Sequence, residues 1–374
     1  MPGIYLHIPF CRQACHYCNF HFSVAHEKMP EMVAAITKEA VLQRDYLSGQ
    51  VDTIYFGGGT PSLIPGDLLQ KILQVLRENY TVIENAEITL ETNPDDINQD
   101  SLYQWKQAGI NRLSIGIQSF SDTDLQWMNR AHTAGQAENA VTMALEAGFQ
   151  NLTIDLIYGT PGLSDSQWQL NLQKAFAFQI PHISCYALTV EPNTALANHI
   201  QKNKVADVDP EIQARHFSLL TQSMREAGYE QYEISNFARP GFRSRHNSSY
   251  WKGEAYLGLG PSAHSFNGTR RQWNIANNSL YLQSLEKNRI PYESEDLTRV
   301  QQINEFIMIR LRTMEGISLT ELTEIFDREV TETLVNAAHK YASSGHLILT
   351  DSDIRLSESG KFLADGIAAD LFFL

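Results

Sequence analysis

The chain has 374 residues, 43% of them apolar, and a formal charge of −14, which suits one sizeable domain with a large core and a smaller companion. An acidic balance of this size argues against a nucleic-acid partner, which demands a basic surface. No stretch approaches the roughly 20 apolar residues of a membrane helix, and no basic region precedes an apolar run at the start, so we expect a cytoplasmic protein with reduced thiols.

A first strand-like run near 3–9 leads straight into "CRQACHYCNFHF", residues 11–22, which holds three of the four cysteines. Clustered thiols in a reducing compartment point to metal or catalysis ahead of disulfides, and Cys11, Cys15 and Cys18 stand at C-x3-C-x2-C. Two centres suit that spacing. Structural zinc takes four ligands, and His16, His21 or His26 would complete a Cys3His set. A cubane iron–sulfur cluster usually takes four thiolates, so three would leave one iron open to a substrate or cofactor. The aromatics Phe10, Tyr17, Phe20 and Phe22 around the loop read either as a shield for that centre or as plain core.

"TIYFGGGTPSLI" (53–64) is a second strand running into three glycines, where backbone can approach a ligand closely. Further strand-like runs near 87–92, 112–118, 152–158 and 182–189 alternate with amphipathic stretches. Ser121, Asp122 and Ser164 stand where helices start, and Gly109, Gly148 and Gly228 where they stop. Six βα units predict an α/β fold, a partial (β/α)6 TIM-like barrel. The chemistry of such barrels gathers at the C-terminal ends of the strands, where Cys11, Gly58, Thr60, Glu91, Gln118 and Asp155 fall. Singly, Glu91 and Asp155 read as capping acids or ion-pair partners, and Gln118 as an ordinary strand-end amide. Together, a carboxylate and an amide can hold ribose hydroxyls, and an arginine such as Arg130 can pair with a ligand carboxylate. With an open iron and a glycine backbone, the set describes a site for S-adenosylmethionine.

Cys185 reads as a small buried strand residue, and His264 carries no assignment. In "RPGFRSRHNSSYWKGEAYLGLGPSAHSF" (239–266), His246, the pair Tyr250 and Trp251, and Arg239, Arg243 and Arg245 offer an axial nitrogen, flat walls and cations for propionates, the needs of a heme. The same residues read as an aromatic turn that closes the barrel, with His246 in a structural hydrogen bond. Helix-like stretches follow at 295–313, 318–326 and 329–344, then a two-strand wing and a closing helix whose apolar tail, "IAADLFFL", suits docking onto the barrel ahead of weak membrane contact. We therefore divide the chain into a barrel (1–240), a connecting segment carrying the His246 motif (241–290) and a small helical, winged C-terminal domain (291–374).

"YLHIPFC", "YFGGGTPS", "LETNPD", "SIGIQSF", "NRAH" and "DLIYGTPG" are similar to motifs of the radical S-adenosylmethionine superfamily, in the branch that contains the oxygen-independent coproporphyrinogen III dehydrogenases and the heme chaperones. The resemblance spans nearly the whole chain. It implies that Cys11, Cys15 and Cys18 hold a [4Fe-4S] cluster whose fourth iron is chelated by S-adenosylmethionine. It places Tyr5 beside cluster and cofactor, and brings Gly58, Gly59 and Thr60 to the cofactor through their backbone. Glu91, Gln118, Arg130 and Asp155 match the remaining contacts. The implied chemistry is reductive cleavage of the sulfonium to a 5′-deoxyadenosyl radical, carried by the cofactor while the protein orients and shields. His246, Asn247, Tyr250 and Trp251 match a motif, HNxxYW, associated with heme binding in the chaperones. The dehydrogenases carry an extra N-terminal segment and a further cysteine where this chain has Phe20. Both departures lean toward a chaperone that binds heme and passes it on, against the dehydrogenase alternative. The implied partners are heme, heme-accepting proteins including membrane-associated ones, and an electron donor such as a flavodoxin or ferredoxin, with the chain cytoplasmic or peripheral at the inner face of the membrane.

Overall fold

The computed structural model describes residues 2–374. Six strands lie side by side in chain order and all parallel: β1 (Gly3–Ile8), β2 (Val51–Gly58), β3 (Val82–Thr92), β4 (Arg112–Gln118), β5 (Asn151–Tyr158) and β6 (His182–Ala187). The helices between them start and stop where the sequence signals stand. Ser121 and Ser164 accept hydrogen bonds from the N–H groups of Asp124 and Gln167, and Gly109 ends its helix at φ +100°. Strand residues on the outer face, such as Ile4, Leu6, Ile54 and Phe56, are fully buried under those helices and form the main core.

The sheet continues on both sides. Beyond β6 run the short antiparallel β8 (Asn236–Ala238) and β7 (Glu230–Gln231). Beyond β1, β9 (Tyr256–Leu259) pairs parallel to it, and β10 (His264–Phe266), β11 (Arg270–Asn274) and β12 (Tyr292–Asp296) follow as antiparallel strands. The stretch 241–290, expected as a connection, therefore supplies three strands of the main sheet. The partial barrel is a twelve-stranded sheet with seven parallel strands, β9 and β1 to β6, at its centre.

Inward-facing residues alternate with core-facing ones along each strand. At the N-terminal ends of the strands the interior is a buried polar belt of Thr53, Glu87, Arg112, Thr153 and His182. Arg112 donates to the Thr153 hydroxyl, Thr153 shares a hydrogen bond with His182 Nδ1 at 3.0 Å, and Glu87 lies 3.9 Å from the Arg112 guanidinium. The helix Arg245–Trp251 plugs this end: the N–H groups of Arg245 and His246 donate to the Glu87 carboxylate at 3.2 and 3.1 Å.

The C-terminal part has its own core, built from Ile307, Leu311, Leu334, Ile354 and Ile367 among others. Helices Arg299–Leu311, Leu319–Ile325 and Arg328–Ser343 pack with a small sheet of β13 (Ile317–Ser318), β15 (Asp353–Leu356) and β14 (Leu347–Leu349). The apolar tail docks within this domain, not on the barrel: Phe373 N–H donates to Asn304 Oδ1 at 2.7 Å and its carbonyl accepts from Asn304 Nδ2 at 2.9 Å. The reason is local, since the helix carrying Asn304 packs on the closing helix Ala364–Asp370, and Leu371 and Phe373 continue into the same core. Among the described residues, no helix is long and apolar enough to cross a membrane.

Candidate functional site

At the C-terminal ends of the parallel strands a cavity of about 400 Å³ opens, and all three clustered thiols line it. The loop that presents them is fixed at several points. Cys11 N–H donates to the Ser23 carbonyl at 3.0 Å, His16 N–H to Met128 at 3.1 Å, and Asn129 Nδ2 to Ala14 at 2.7 Å. A loop held this way aims its sulfurs with little freedom left to lose on metal binding.

The histidines that would complete a zinc set turn elsewhere. His16 Nδ1 meets the Trp127 carbonyl at 3.0 Å, His21 Nε2 the Asn278 side chain at 2.7 Å, and His26 Nε2 the Cys11 carbonyl at 2.8 Å. None of the three lines the cavity. Among the described residues the sulfurs that line the cavity are these three, the number that leaves one iron of a cubane open.

Burial pushes the Cys11 thiol up to about 11 and raises that of Cys18. Against this, the Thr60 hydroxyl donates to Cys11 Sγ at 3.4 Å and Arg130 Nη1 to Cys15 Sγ at 3.3 Å. The first contact favours thiolate at Cys11, but burial wins, so metal loading would release protons.

The glycine turn after β2 ties β1 and the cysteine loop together. Gly59 and Thr60 line the cavity, yet their N–H groups donate to the carbonyls of Ile8 and Phe10 at 2.8 and 2.7 Å. A Cβ on Gly59 would lie 2.6 Å from the Phe10 oxygen and 2.7 Å from that of Ile8. The glycine is needed for close approach of β1 and the cysteine loop, and Gly58 for its φ of +104°.

The remaining wall is polar. Glu91 accepts from the Tyr55 hydroxyl at 2.8 Å, and burial with the charge of Asp155 nearby holds its carboxyl up to about 7. Asp155 is pushed up to about 6, again by burial, against hydrogen bonds from Ser184 and Ser114. Gln118 lines the cavity at φ +70°, a left-handed conformation that costs a non-glycine residue about 1 kcal/mol or more. Arg130 Nη2 donates to Asn93 Oδ1 and to the Gly116 carbonyl, both at 2.7 Å, and its buried Nε has no partner among the described residues. The cavity therefore offers a cation at one place and two acids at another, complementary to a zwitterion that also carries hydroxyls. S-adenosylmethionine fits that description.

The sequence reading brought Cys11, Cys15, Cys18, Gly58, Gly59 and Thr60 to this cavity, and likewise Glu91, Gln118, Arg130 and Asp155. It missed Asn93, which links Arg130 to Thr60 (Nδ2 to Oγ1, 3.1 Å), and Tyr186 at the end of β6. Both stand at strand ends, the signal that should have found them. Tyr17, Phe20 and Phe22 line the cavity while Phe10 is core, 2% exposed.

Tyr5 lines a neighbouring cavity of about 390 Å³ together with Tyr250, with Glu91 of the thiol cavity near enough that its charge, after burial, raises the Tyr5 hydroxyl. The rest of the His246 motif lines neither. His246 is 1% exposed, with Nδ1 hydrogen-bonded to Thr53 at 2.7 Å, Nε2 to the Tyr250 hydroxyl at 2.9 Å, and its ring stacked on Tyr55 at 4.9 Å. Asn247 N–H donates to the capping hydroxyl of Ser244, and Trp251 packs beneath the Arg312 guanidinium. The arginines expected for propionates are engaged: Arg245 pairs with Asp52 at 2.6 Å, Arg243 with Glu315 at 2.6 Å, and Arg239 covers the Tyr229 ring.

Comparison with known proteins agrees with this architecture. The model of the radical SAM superfamily matches residues 5–174, and that of the HemN C-terminal domain residues 297–363. The heme chaperone HemW of Bacillus subtilis is 32% identical over 372 residues, covering 98% of each chain. Its namesake in Mycobacterium tuberculosis is 32% identical over 375 residues, 99% of this chain and 94% of that one. Among solved structures, the coproporphyrinogen III oxidase HemN of Escherichia coli superposes with a TM-score of 0.85 at 22% identity, over 99% of this chain and 90% of that one, a likeness of fold. A three-thiol cavity at the mouth of a partial parallel barrel, together with full-length relatives of this kind, makes the chain a member of the HemW family within the radical SAM superfamily.

Proposed function

We propose that the protein is a heme chaperone that carries a [4Fe-4S] cluster and S-adenosylmethionine, binds heme as cargo, and hands it to acceptor proteins. The observation that carries this reading is the full-length correspondence to proteins named heme chaperone HemW, joined to a cavity whose residues suit cluster and cofactor. Cys11, Cys15 and Cys18 would hold three irons of the cluster. Arg130 would pair with the cofactor's carboxylate, and Glu91, Gln118 and Asp155 with its amine and ribose. The bound cluster and cofactor supply radical-generating reductive cleavage when an electron donor, such as a flavodoxin or ferredoxin, is present. The chain's own residues orient the cofactor, and Tyr17 and Phe22 keep water from the cavity.

Phe20 separates this reading from the dehydrogenase alternative. It is 65% exposed at the cavity's edge and offers no sulfur where the dehydrogenases have a further cysteine. The acceptors would be heme proteins, membrane-associated ones among them, met by a cytoplasmic chain that works at or near the inner face of the membrane. The test is anaerobic reconstitution with iron and sulfide, followed by heme titration and a coproporphyrinogen III turnover assay with a strong reductant. Saturable heme binding with no protoporphyrinogen IX formed is the expected result. Steady turnover would replace the chaperone by the dehydrogenase.

A further inference from the structure

Cargo that must be received and released needs an open site, a ligand atom with a free lone pair, and flat walls. His246 fails the first two, since its ring is buried at the plugged end of the barrel and both of its nitrogens are hydrogen-bonded. The cavity beside the cysteine loop meets all three. Its volume of about 390 Å³ lies in the range of about 300–1,000 Å³ typical of small-molecule sites.

Four aromatic side chains wall it: Tyr5, Phe20, Tyr250 and Tyr256, with Tyr250 and Tyr256 packed edge to face at 4.6 Å. Three histidines reach it. His7 is spent, its nitrogens on the Tyr5 hydroxyl at 3.3 Å and the His21 carbonyl at 2.8 Å. His21 is held through Nε2 by Asn278. His264 differs from both: its ring is exposed, stacks on Trp273 at 6.1 Å, and has no hydrogen-bond partner among the described residues.

His264 is also presented rigidly. It opens β10, paired to Trp273 of β11, and its carbonyl would lie 2.0 Å from a Cβ on Gly258. Only glycine in β9 lets β10 fold back this closely, and the Gly258 N–H is in turn met by the Ser265 hydroxyl at 2.9 Å. A free imidazole on a strand, beside an aromatic slot, is the arrangement an axial heme ligand needs.

We propose that heme cargo sits in this second cavity with His264 as its axial ligand, and that His246 acts at one remove, by holding the Tyr250 hydroxyl and so the wall. The inference rests on the heme-chaperone reading and adds a site to it. Asn19 and Phe20 line this cavity and the thiol cavity alike, so cargo and cluster would be separated by the side chain of Phe20.

The experiment titrates ferric heme into the full chain and into H264A, H246A and H21A, recording the Soret band, the low-spin signals in electron paramagnetic resonance, and heme release to an apo-globin scavenger. H264A, whose substitution is at an exposed site, is expected to fold, to lose the histidine-ligated spectrum, and to release heme about tenfold faster or more. Added imidazole should restore the spectrum. Folded H246A should retain the spectral signature with weaker binding. An unchanged spectrum and release rate in H264A overturn the assignment, and so does a signature lost in H21A while H264A keeps it. Absence of saturable heme binding by the unmodified chain would overturn the cargo reading and this site together, whereas normal binding with an unaltered H264A would overturn the site alone.

Discussion

Replacing Arg130 by alanine removes the one guanidinium in the thiol cavity. Its Nη2 sits 2.7 Å from both Asn93 Oδ1 and the Gly116 carbonyl, its Nη1 3.3 Å from Cys15 Sγ, and its Nε lacks a partner among the described residues. An incoming carboxylate would gain a charge-assisted pair with a group already oriented, so little ordering entropy opposes the gain. Loss of such a pair costs about 1.5–3 kcal/mol, which converts to roughly a 10- to 150-fold weaker affinity for S-adenosylmethionine. Asn93 and Gly116 lose a donor as well, but both line the cavity, where water can replace it. Calorimetric titration of the anaerobically reconstituted variant measures the affinity, and iron and acid-labile sulfide determined on the same sample measure the cluster. Arg130→Lys keeps the charge and loses the fork, so its affinity should lie between the two. An affinity within twofold of wild type, with a full cluster, would refute the pairing and reduce Arg130 to a brace between β4 and the loop after β3.

Cys11→Ser, Cys15→Ser and Cys18→Ser should each abolish the cluster, because these three carry all the sulfurs that line the cavity; four irons retained in all three variants would defeat the assignment, and stoichiometric zinc without iron would favour a zinc site. Glu91 titrates near 7 in the fold against an ordinary value of 4.5. The folded state therefore binds more protons than the unfolded chain between those values, and stability of the metal-free protein should fall as pH rises from about 4.5 to 7, by about 1–3 kcal/mol. Urea midpoints at pH 5 and 7.5 test this, and Glu91→Gln should flatten the difference. His246→Ala should destabilise the fold by about 2–4 kcal/mol, since it strips partners from Thr53 and Tyr250 and removes a stacked ring; a denaturation midpoint equal to wild type would show that the plug is not structural.

The parallel strands were legible because most are short apolar runs, and the polar residues at or near their ends stand in the order the barrel requires. Ten of the expected residues meet in one cavity for that reason. The placement of the His246 motif was not legible. Residue type says that an imidazole and two aromatics lie within one helical stretch, but which end of the barrel that helix plugs depends on Glu87 receiving its first N–H groups, a contact 159 positions away for His246. The short strands after residue 250 were hidden for a related reason: with three to five residues each, they show too little alternation to separate from turn. The buried belt around Arg112 could have been found. Gly3, Tyr5 and His7 alternate with Ile4, Leu6 and Ile8 along β1, a period of two whose inner face is unusually polar for a barrel interior.

β1 takes one neighbour from residues 53–58 and the other from residues 256–259. During synthesis the strand that launches the cysteine loop must therefore wait for some 250 further residues before both of its edges are covered. Until then it presents bare backbone groups along an apolar strand, the state most open to wrong pairing, and the eventual closure is among the longest-range events the chain makes, hence slow. The second cavity cannot exist before that closure, since Tyr256 and His264 arrive with it, whereas the thiol loop and the strands that frame it are already made. Biogenesis is thus ordered by topology: a nascent chain could take up iron and sulfur while still unable to enclose anything beside them.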